Sequence, residues 1–100
     1  MKSGYKIEWT DNALSELKKT YQYLEENWTA KDLTKLSFDI ERTISLISKN
    51  PNMFPMSDKA NIRKAVIKKL NTMYYREKEG DRIEILSFFS NRQSPVRRKL

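Results

Sequence analysis

One hundred residues make one small domain with room for a modest core, and no apolar stretch reaches the ~18–20 residues of a membrane span. Cysteine and histidine are both absent, so disulfides are excluded, a zinc site would have only carboxylates as ligands, and the side chain most used for proton transfer near neutral pH is missing. The net charge of +7 is unevenly placed: residues 1–58 hold eight Lys/Arg against nine Asp/Glu, residues 59–100 twelve against four, so the second half either meets an anionic partner or is kept soluble by its own charge.

The opening MKSGYKIEWTD lacks the apolar core of a signal peptide, which makes a cytoplasmic protein the expectation. Within it, Tyr5, Ile7 and Trp9 alternate with Lys6 and Glu8, the two-residue period of a half-buried strand. Thr10, Asp11 and Asn12 supply N-cap oxygens for a helix over 11–27. Leu14, Leu17, Tyr21, Leu24 and Trp28 recur every three or four residues and form its apolar stripe. Thr29 caps a second helix after a very short link. Its stripe is Leu33, Leu36, Ile40, Ile44 and Ile47, widened by Phe38 and Leu46, and Pro51 ends it near Asn50. Two amphipathic helices so closely joined make an antiparallel hairpin whose stripes face a core.

Residues 50–61 form a loop, with Met53, Phe54 and Met56 expected to pin it to the body. Three strands follow, over 61–69, 72–77 and 82–89, the last two joined by a turn in which Gly80 takes positive φ. The fold class is therefore α+β: an antiparallel sheet packed on an N-terminal helical hairpin in the order β-α-α-β-β-β. A single domain covers 1–100, with 90–100 as a C-terminal tail.

The chain has two glycines, Gly4 and Gly80, and no phosphate-binding glycine loop. Chemistry falls instead to the basic, aromatic strand half. By strand alternation Arg63, Ala65 and Ile67 share one face, and Ile62, Lys64, Val66 and Lys68 the other. Thr72, Tyr74 and Arg76 stand together, opposite Met73 and Tyr75. An open sheet face carrying Arg63, Tyr74 and Arg76 and ending at Arg92 would suit phosphates or carboxylates, which arginine meets with two parallel hydrogen bonds. The alternative is cross-strand packing, with arginine stems covering apolar surface. Arg97 and Arg98 in the terminal VRRKL are either part of a frayed tail or a further anionic contact.

The order of these features resembles the ParE and RelE toxin superfamily. YKIEWTDNALSELKKTYQYLEENW is similar to the family's opening strand and "T..A..DL...YI" helix. NPNMFP, NIRKAVIKKLNTMYYRE and IEILSFFSNRQSP are similar to its "P..FP…R…V…Y.I.YR…I.I…F..R..P" pattern. The likeness spans residues 5–95 and rests on order and spacing together.

The resemblance implies a toxin of a type II toxin–antitoxin, or plasmid-stabilisation, module, held inactive by a cognate antitoxin with an acidic segment. It implies no cofactor, no metal and no membrane partner, and it leaves a homodimer open. RelE-like members cleave mRNA on the ribosome; ParE-like members inhibit DNA gyrase. Arg92 matches the arginine after the family's last strand, and Arg63 falls near a basic position of the nuclease site. The nuclease arginine at the start of the middle strand corresponds to about Thr72. The histidine or tyrosine that some nucleases carry after the last strand has no counterpart in QSPVRRKL. Arginine stabilises charge but scarcely gives up its proton, with a pKa above ~12, so the ParE-like branch is favoured. Partner or target binding then falls to Arg63, Tyr74, Arg76, Arg92, Arg97 and Arg98. A nuclease would instead use Arg63, Lys64, Tyr74, Arg76 and Arg92. A family member that only binds antitoxin is the third alternative.

Overall fold

A computed structural model describes residues 4–27, 29–59, 61–67 and 71–90. The chain runs β1 (Lys6–Trp9), α1 (Asp11–Asn27), α2 (Ala30–Lys49), β2 (Arg63–Ile67), β3 (Asn71–Lys78) and β4 (Arg82–Ser90). This is the expected α+β order. The sheet order is β1-β4-β3-β2. The three late strands form the antiparallel meander read from the sequence, while β1 enters parallel to β4, so the sheet is mixed and not antiparallel throughout. The helix pair between β1 and β2 is what allows it: the return path is long enough for a parallel neighbour.

Helix α1 starts where Thr10 serves two elements at once. Its hydroxyl accepts the Ala13 N–H at 3.1 Å as an N-cap and donates to the Ile85 carbonyl at 2.9 Å. One side chain thus fixes both the start of the helix and its seat on β4. The seat decides which stripe is buried. Ala13, Thr20 and Leu24 face inward, with Leu17 and Tyr21 half-buried, and Leu14 is 48% exposed. The expected stripe is therefore rotated by one residue at its start, because small Ala13 and Thr20 let the helix approach the sheet more closely than Leu14 would. Trp28 lies outside the described residues.

Helix α2 opens with a complete capping box between Thr29 and Asp32 and closes at Asn50, before Pro51. Leu36, Ile40 and Ile47 are buried, and Leu33 and Ile44 pack beside them. Phe38 and Leu46 do not widen this stripe; Phe38 is 64% exposed on the outer face. Tyr21 and Ser37 join the helices through a 2.6 Å hydroxyl pair. The core lies between the helices and one side of the sheet, from which Ala65, Ile67, Met73, Tyr75, Ile83, Ile85 and Phe88 point inward.

The loop after α2 is held by fewer anchors than expected. Met53 and Met56 are exposed, and Phe54 alone of the three packs in, edge-on to the Tyr75 ring at 6.4 Å. Two polar ties complete the clamp. The buried Tyr75 hydroxyl donates to the Pro51 carbonyl at 2.8 Å, and the Arg63 guanidinium donates to the Phe54 carbonyl at 2.7 Å and to Asn52 at 3.1 Å. At the β3–β4 turn Gly80 takes φ +82° and Asp81 φ +57°, the left-handed region that glycine and, at some cost, aspartate adopt.

Strand β4 carries one irregularity. Tyr74 pairs with Ser87, but Tyr75 pairs with Ile85, so Leu86 is an extra residue, a β-bulge. Below the bulge the inward residues are Ile83 and Ile85; above it they are Phe88 and Ser90. The bulge shifts the inward parity by one and leaves Leu86 and Ser87 both half-exposed.

Candidate functional site

Among the described residues no helix covers the other side of the sheet, and register arranges its residues in rows. Val66, Thr72 and Phe89 form one row across β2, β3 and β4; Lys64, Tyr74 and Ser87 form the next. Arg76, Glu84 and Glu8 form a third across β3, β4 and β1, and Lys78, Arg82 and Lys6 a fourth.

The two lower rows carry an ion-pair lattice, with the exposed Lys6 outside it among the described residues. Arg76 meets Glu84 at 2.8 Å, Lys78 lies 3.7 Å from Glu84 and 4.0 Å from Glu8, and Arg82 lies 3.5 Å from Glu8. The hydrogen bond from Arg76 is the main reason the Glu84 carboxyl is held below its ordinary pKa, with Lys78 adding to it. Burial pulls the other way and loses. Three cations thus share two carboxylates across three strands.

The upper rows are different. Among the described residues, Lys64 has no carboxylate within ion-pair distance. It borders a cleft of about 410 Å³ between the sheet and the loop that precedes β2. Met56, Ile62 and Leu86 give the cleft its apolar lining, and Ser57, Tyr74 and Ser87 bring hydroxyls. The lining holds one acid, Asp58, and two cations, Lys59 and Lys64, so its net sign is positive. Beside the cleft Val66 is 50% and Phe89 40% exposed, an apolar row on the same face.

The bulge that turns Leu86 and Ser87 outward is held from α1. One Glu16 oxygen accepts the Ser87 hydroxyl at 2.8 Å, the Phe88 N–H at 2.9 Å and the Asn12 amide at 3.3 Å. Asn12 also donates to the Leu86 carbonyl at 3.1 Å. Strand β1 ends at Trp9, so among the described residues β4 has no strand neighbour on this side above Ile85. The first turns of α1 satisfy those backbone groups in its place.

The structure brings together part of the expected constellation. Tyr74 and Arg76 do share the open face. Arg63 does not: Ala65 and Ile67, of the same parity, are buried, and Arg63 pairs with Tyr75 in the clamp on the helix side. Its place beside Tyr74 is taken by Lys64. Arg76 is on the right face but tied to Glu84. The Tyr75 hydroxyl is spent on the Pro51 carbonyl, and burial raises its pKa, outweighing the lowering by Arg63 and a backbone hydrogen bond. Arg92, Arg97 and Arg98 lie outside the described residues. Leu86, Ser87 and Glu16 were missed, although inward apolar positions spaced two and then three apart, at Ile83, Ile85 and Phe88, are the mark that a bulge leaves in a sequence. No group of three or more Asp or Glu residues among the described residues is placed to hold a metal, and none of the described helices is long and apolar enough to cross a membrane.

Comparison with known proteins agrees with this architecture. A chain from the chromosomal ParDE toxin–antitoxin system of P. aeruginosa superposes with a TM-score of 0.72 at 18% identity, over 89% of this chain and 98% of that one. A conserved hypothetical protein of Helicobacter pylori, solved in solution, gives a TM-score of 0.55 at 14% identity, over 88% of this chain and 96% of that one. At these identities the likeness is one of fold. None of the curated proteins matches the sequence. The family profile for the ParE toxin of the type II toxin–antitoxin system parDE matches residues 7–95, from β1 past the end of β4, and the chain belongs to that family.

Proposed function

We propose that this ParE-family chain is neutralised by a cognate antitoxin through an acidic segment, and that it acts by binding DNA gyrase, with no cleavage of RNA. The observation that carries the choice of target is the chemistry left on the open face. Cleaving RNA through its own 2′-hydroxyl needs a base for that hydroxyl and an acid for the leaving oxygen. The sequence has no histidine, the Tyr75 phenol is buried in the loop clamp, and Glu84 and Arg76 are spent on each other. Beside the ion pairs the face presents Lys64, a half-buried Tyr74 and the apolar Val66 and Phe89, a mixture that suits a protein surface.

The test is DNA supercoiling by gyrase, titrated with the purified protein. Supercoiling should fall as the protein approaches and exceeds the gyrase concentration; activity that persists at large excess overturns the reading. A second reading, ribosome-dependent mRNA cleavage, is favoured by one feature: Lys64 and Tyr74 are register partners at the edge of the cleft. New ends inside translated messages after induction would select it.

A further inference from the structure

We infer that the outer face of α2 binds single-stranded nucleic acid: Lys31, Lys35, Arg42 and Lys49 track the phosphates, and Phe38 stacks on a base. This surface points away from the sheet, and the inference goes beyond the reading of the chain as a gyrase-directed toxin. It holds whichever target the toxin has.

The stripe follows the helix period. Positions 31, 35, 38, 42, 45 and 49 recur at intervals of four and three, the spacing that keeps side chains on one face. They read Lys, Lys, Phe, Arg, Ser and Lys, and all six are exposed. The buried stripe of Leu36, Ile40 and Ile47 lies on the other side of the same helix, so this face looks straight into solvent. Among the described residues, no carboxylate lies within ion-pair distance of any of the four cations. The acids of α2 sit elsewhere. Asp32 closes the capping box, and Asp39 and Glu41 fall on the two flanks of the stripe. From Lys31 to Lys49 the cations span about 27 Å of helix axis, room for roughly the four or more nucleotides that single-strand sites occupy.

Composition selects the occupant. A row of cations without carboxylates, on a chain of net charge +7, calls for a polyanion. Phe38, the most exposed large apolar side chain among the described residues, sits in the middle of that row. Duplex DNA would offer this face phosphates alone, because its bases are stacked inside. A single strand has free base faces, and aromatic rings set among cations hold such strands without regard to sequence. An anionic membrane asks for the reverse pattern, an apolar face that enters the bilayer with the cations on the other side. Here cations run down the middle of the exposed face, and the second apolar residue, Leu46, lies at its edge. The frame is preformed: the capping box fixes the start of α2, and the Tyr21–Ser37 hydroxyl pair ties the helix to α1, so little ordering is needed on the protein side.

The experiment is fluorescence anisotropy of a labelled single strand of about 12 nucleotides, titrated with the full chain at low salt. An abasic strand of the same length and charge, the matching duplex and vesicles containing anionic lipid are the alternative probes. Binding to the single strand should saturate, and the logarithm of the affinity should fall against that of salt with a slope of about −2 to −3, as for three or four neutralised phosphates. Lys35→Glu with Arg42→Glu should weaken it about tenfold or more, and the milder Lys35→Gln with Arg42→Gln should act in the same direction. The same change of charge on the sheet face, Lys6→Glu with Lys64→Glu, should weaken it far less. Phe38→Ala should weaken binding about fivefold or more on the strand with bases and leave the abasic strand unaffected, a difference that total charge cannot produce. These variants alter exposed side chains and should keep the wild-type melting curve, so lost binding is not lost fold. An abasic strand that binds as tightly as the one with bases, a duplex or vesicle that binds more tightly, equal losses from the helix and sheet charge pairs, or no saturable binding would overturn the inference. Gyrase takes no part in this titration, so a failed supercoiling assay leaves its result standing, and the reverse holds too.

Discussion

The open sheet face has two halves of different composition and organisation: Lys6, Arg76, Lys78 and Arg82 with Glu8 and Glu84 in the lower rows, and Lys64 among Val66, Thr72, Tyr74, Ser87 and Phe89 in the upper. In the lower half Arg76, Lys78 and Arg82 are tied to Glu8 and Glu84, with the exposed Lys6 at the edge. In the upper half Lys64 stands without a carboxylate beside a cleft and an exposed apolar row. Counting cations favours the lower half, four against one. Partners separate them: a paired surface charge adds a little stability and offers little to a ligand, since any newcomer must first break the pair. A basic strand half is thus two surfaces, one that holds the sheet together and one that is available.

The largest way to break this contrast is to remove what lies beneath both halves. Phe88 is buried just above the bulge, and Phe88→Ala should cost about 3–5 kcal/mol. Urea denaturation would read this as an early midpoint, with loss of partner binding and ion-pair lattice together. A loss under ~1 kcal/mol would mean that the bulge region does not rest on this core position. A sharper cut removes one half only. Glu16→Ala strips the acceptor from Ser87, Phe88 and Asn12, leaving a part-buried N–H unpaired, at about 1–3 kcal/mol. Glu16→Gln keeps an acceptor oxygen and should recover most of that. Crosspeaks of Leu86 and Ser87 should move in the alanine variant, while those of Arg76 and Arg82 stay in place. If all move alike, the halves are one unit.

The elements of the fold were legible because each is written in a short-range code. Thr29 with Asp32 spells a capping box, and Leu36, Ile40 and Ile47 fall on one stripe whatever the rest of the chain does. The site was less legible because it depends on which sheet face is covered. Arg63 and Lys64 are adjacent, so one step in parity decides which points outward, and burial of Ala65 and Ile67 decides it for Lys64. The parallel entry of β1 joins residues 76 apart in sequence, and the tie from Glu16 to Phe88 residues 72 apart. No local pattern carries that information. The stripe of α1 failed at Leu14 for a related reason: hydrophobicity favours leucine, but the closest approach to β4 selects alanine and threonine.

In the lower half the expected effects are smaller. Arg76→Ala or Glu84→Gln should each cost less than about 1 kcal/mol, because Arg76 is half exposed and solvent screens the pair. The pH dependence has a definite sign. Glu84 titrates lower in the folded chain than unfolded, so its contribution is complete above the unfolded carboxylate range and is lost as pH falls through the depressed folded value. Glu84→Gln should therefore flatten the acid limb of the stability curve, and added salt should shrink the difference at neutral pH. Stability unaffected by Glu84→Gln at every pH would leave the lattice with no role in holding the sheet.

The smallest effect on stability should come from the cation at the cleft. Lys64 is exposed, and its side chain has no partner among the described residues, so Lys64→Glu should change stability by no more than about 0.5 kcal/mol. If Lys64 instead stabilised β2 through a contact of its own, the melting curve would shift with the substitution and the two halves would differ only in degree. Association rates add a second measurement. A cation that steers an acidic partner speeds encounter in a salt-dependent way, so the wild-type on-rate for the antitoxin should fall with ionic strength more steeply than that of Lys64→Glu. The Arg76→Ala slope should match wild type more closely, because the charge removed there was already offset by Glu84. Equal slopes for Lys64→Glu and Arg76→Ala would mean that the partner senses only the total charge of the face, and the division into a paired and an available half would have no bearing on recognition.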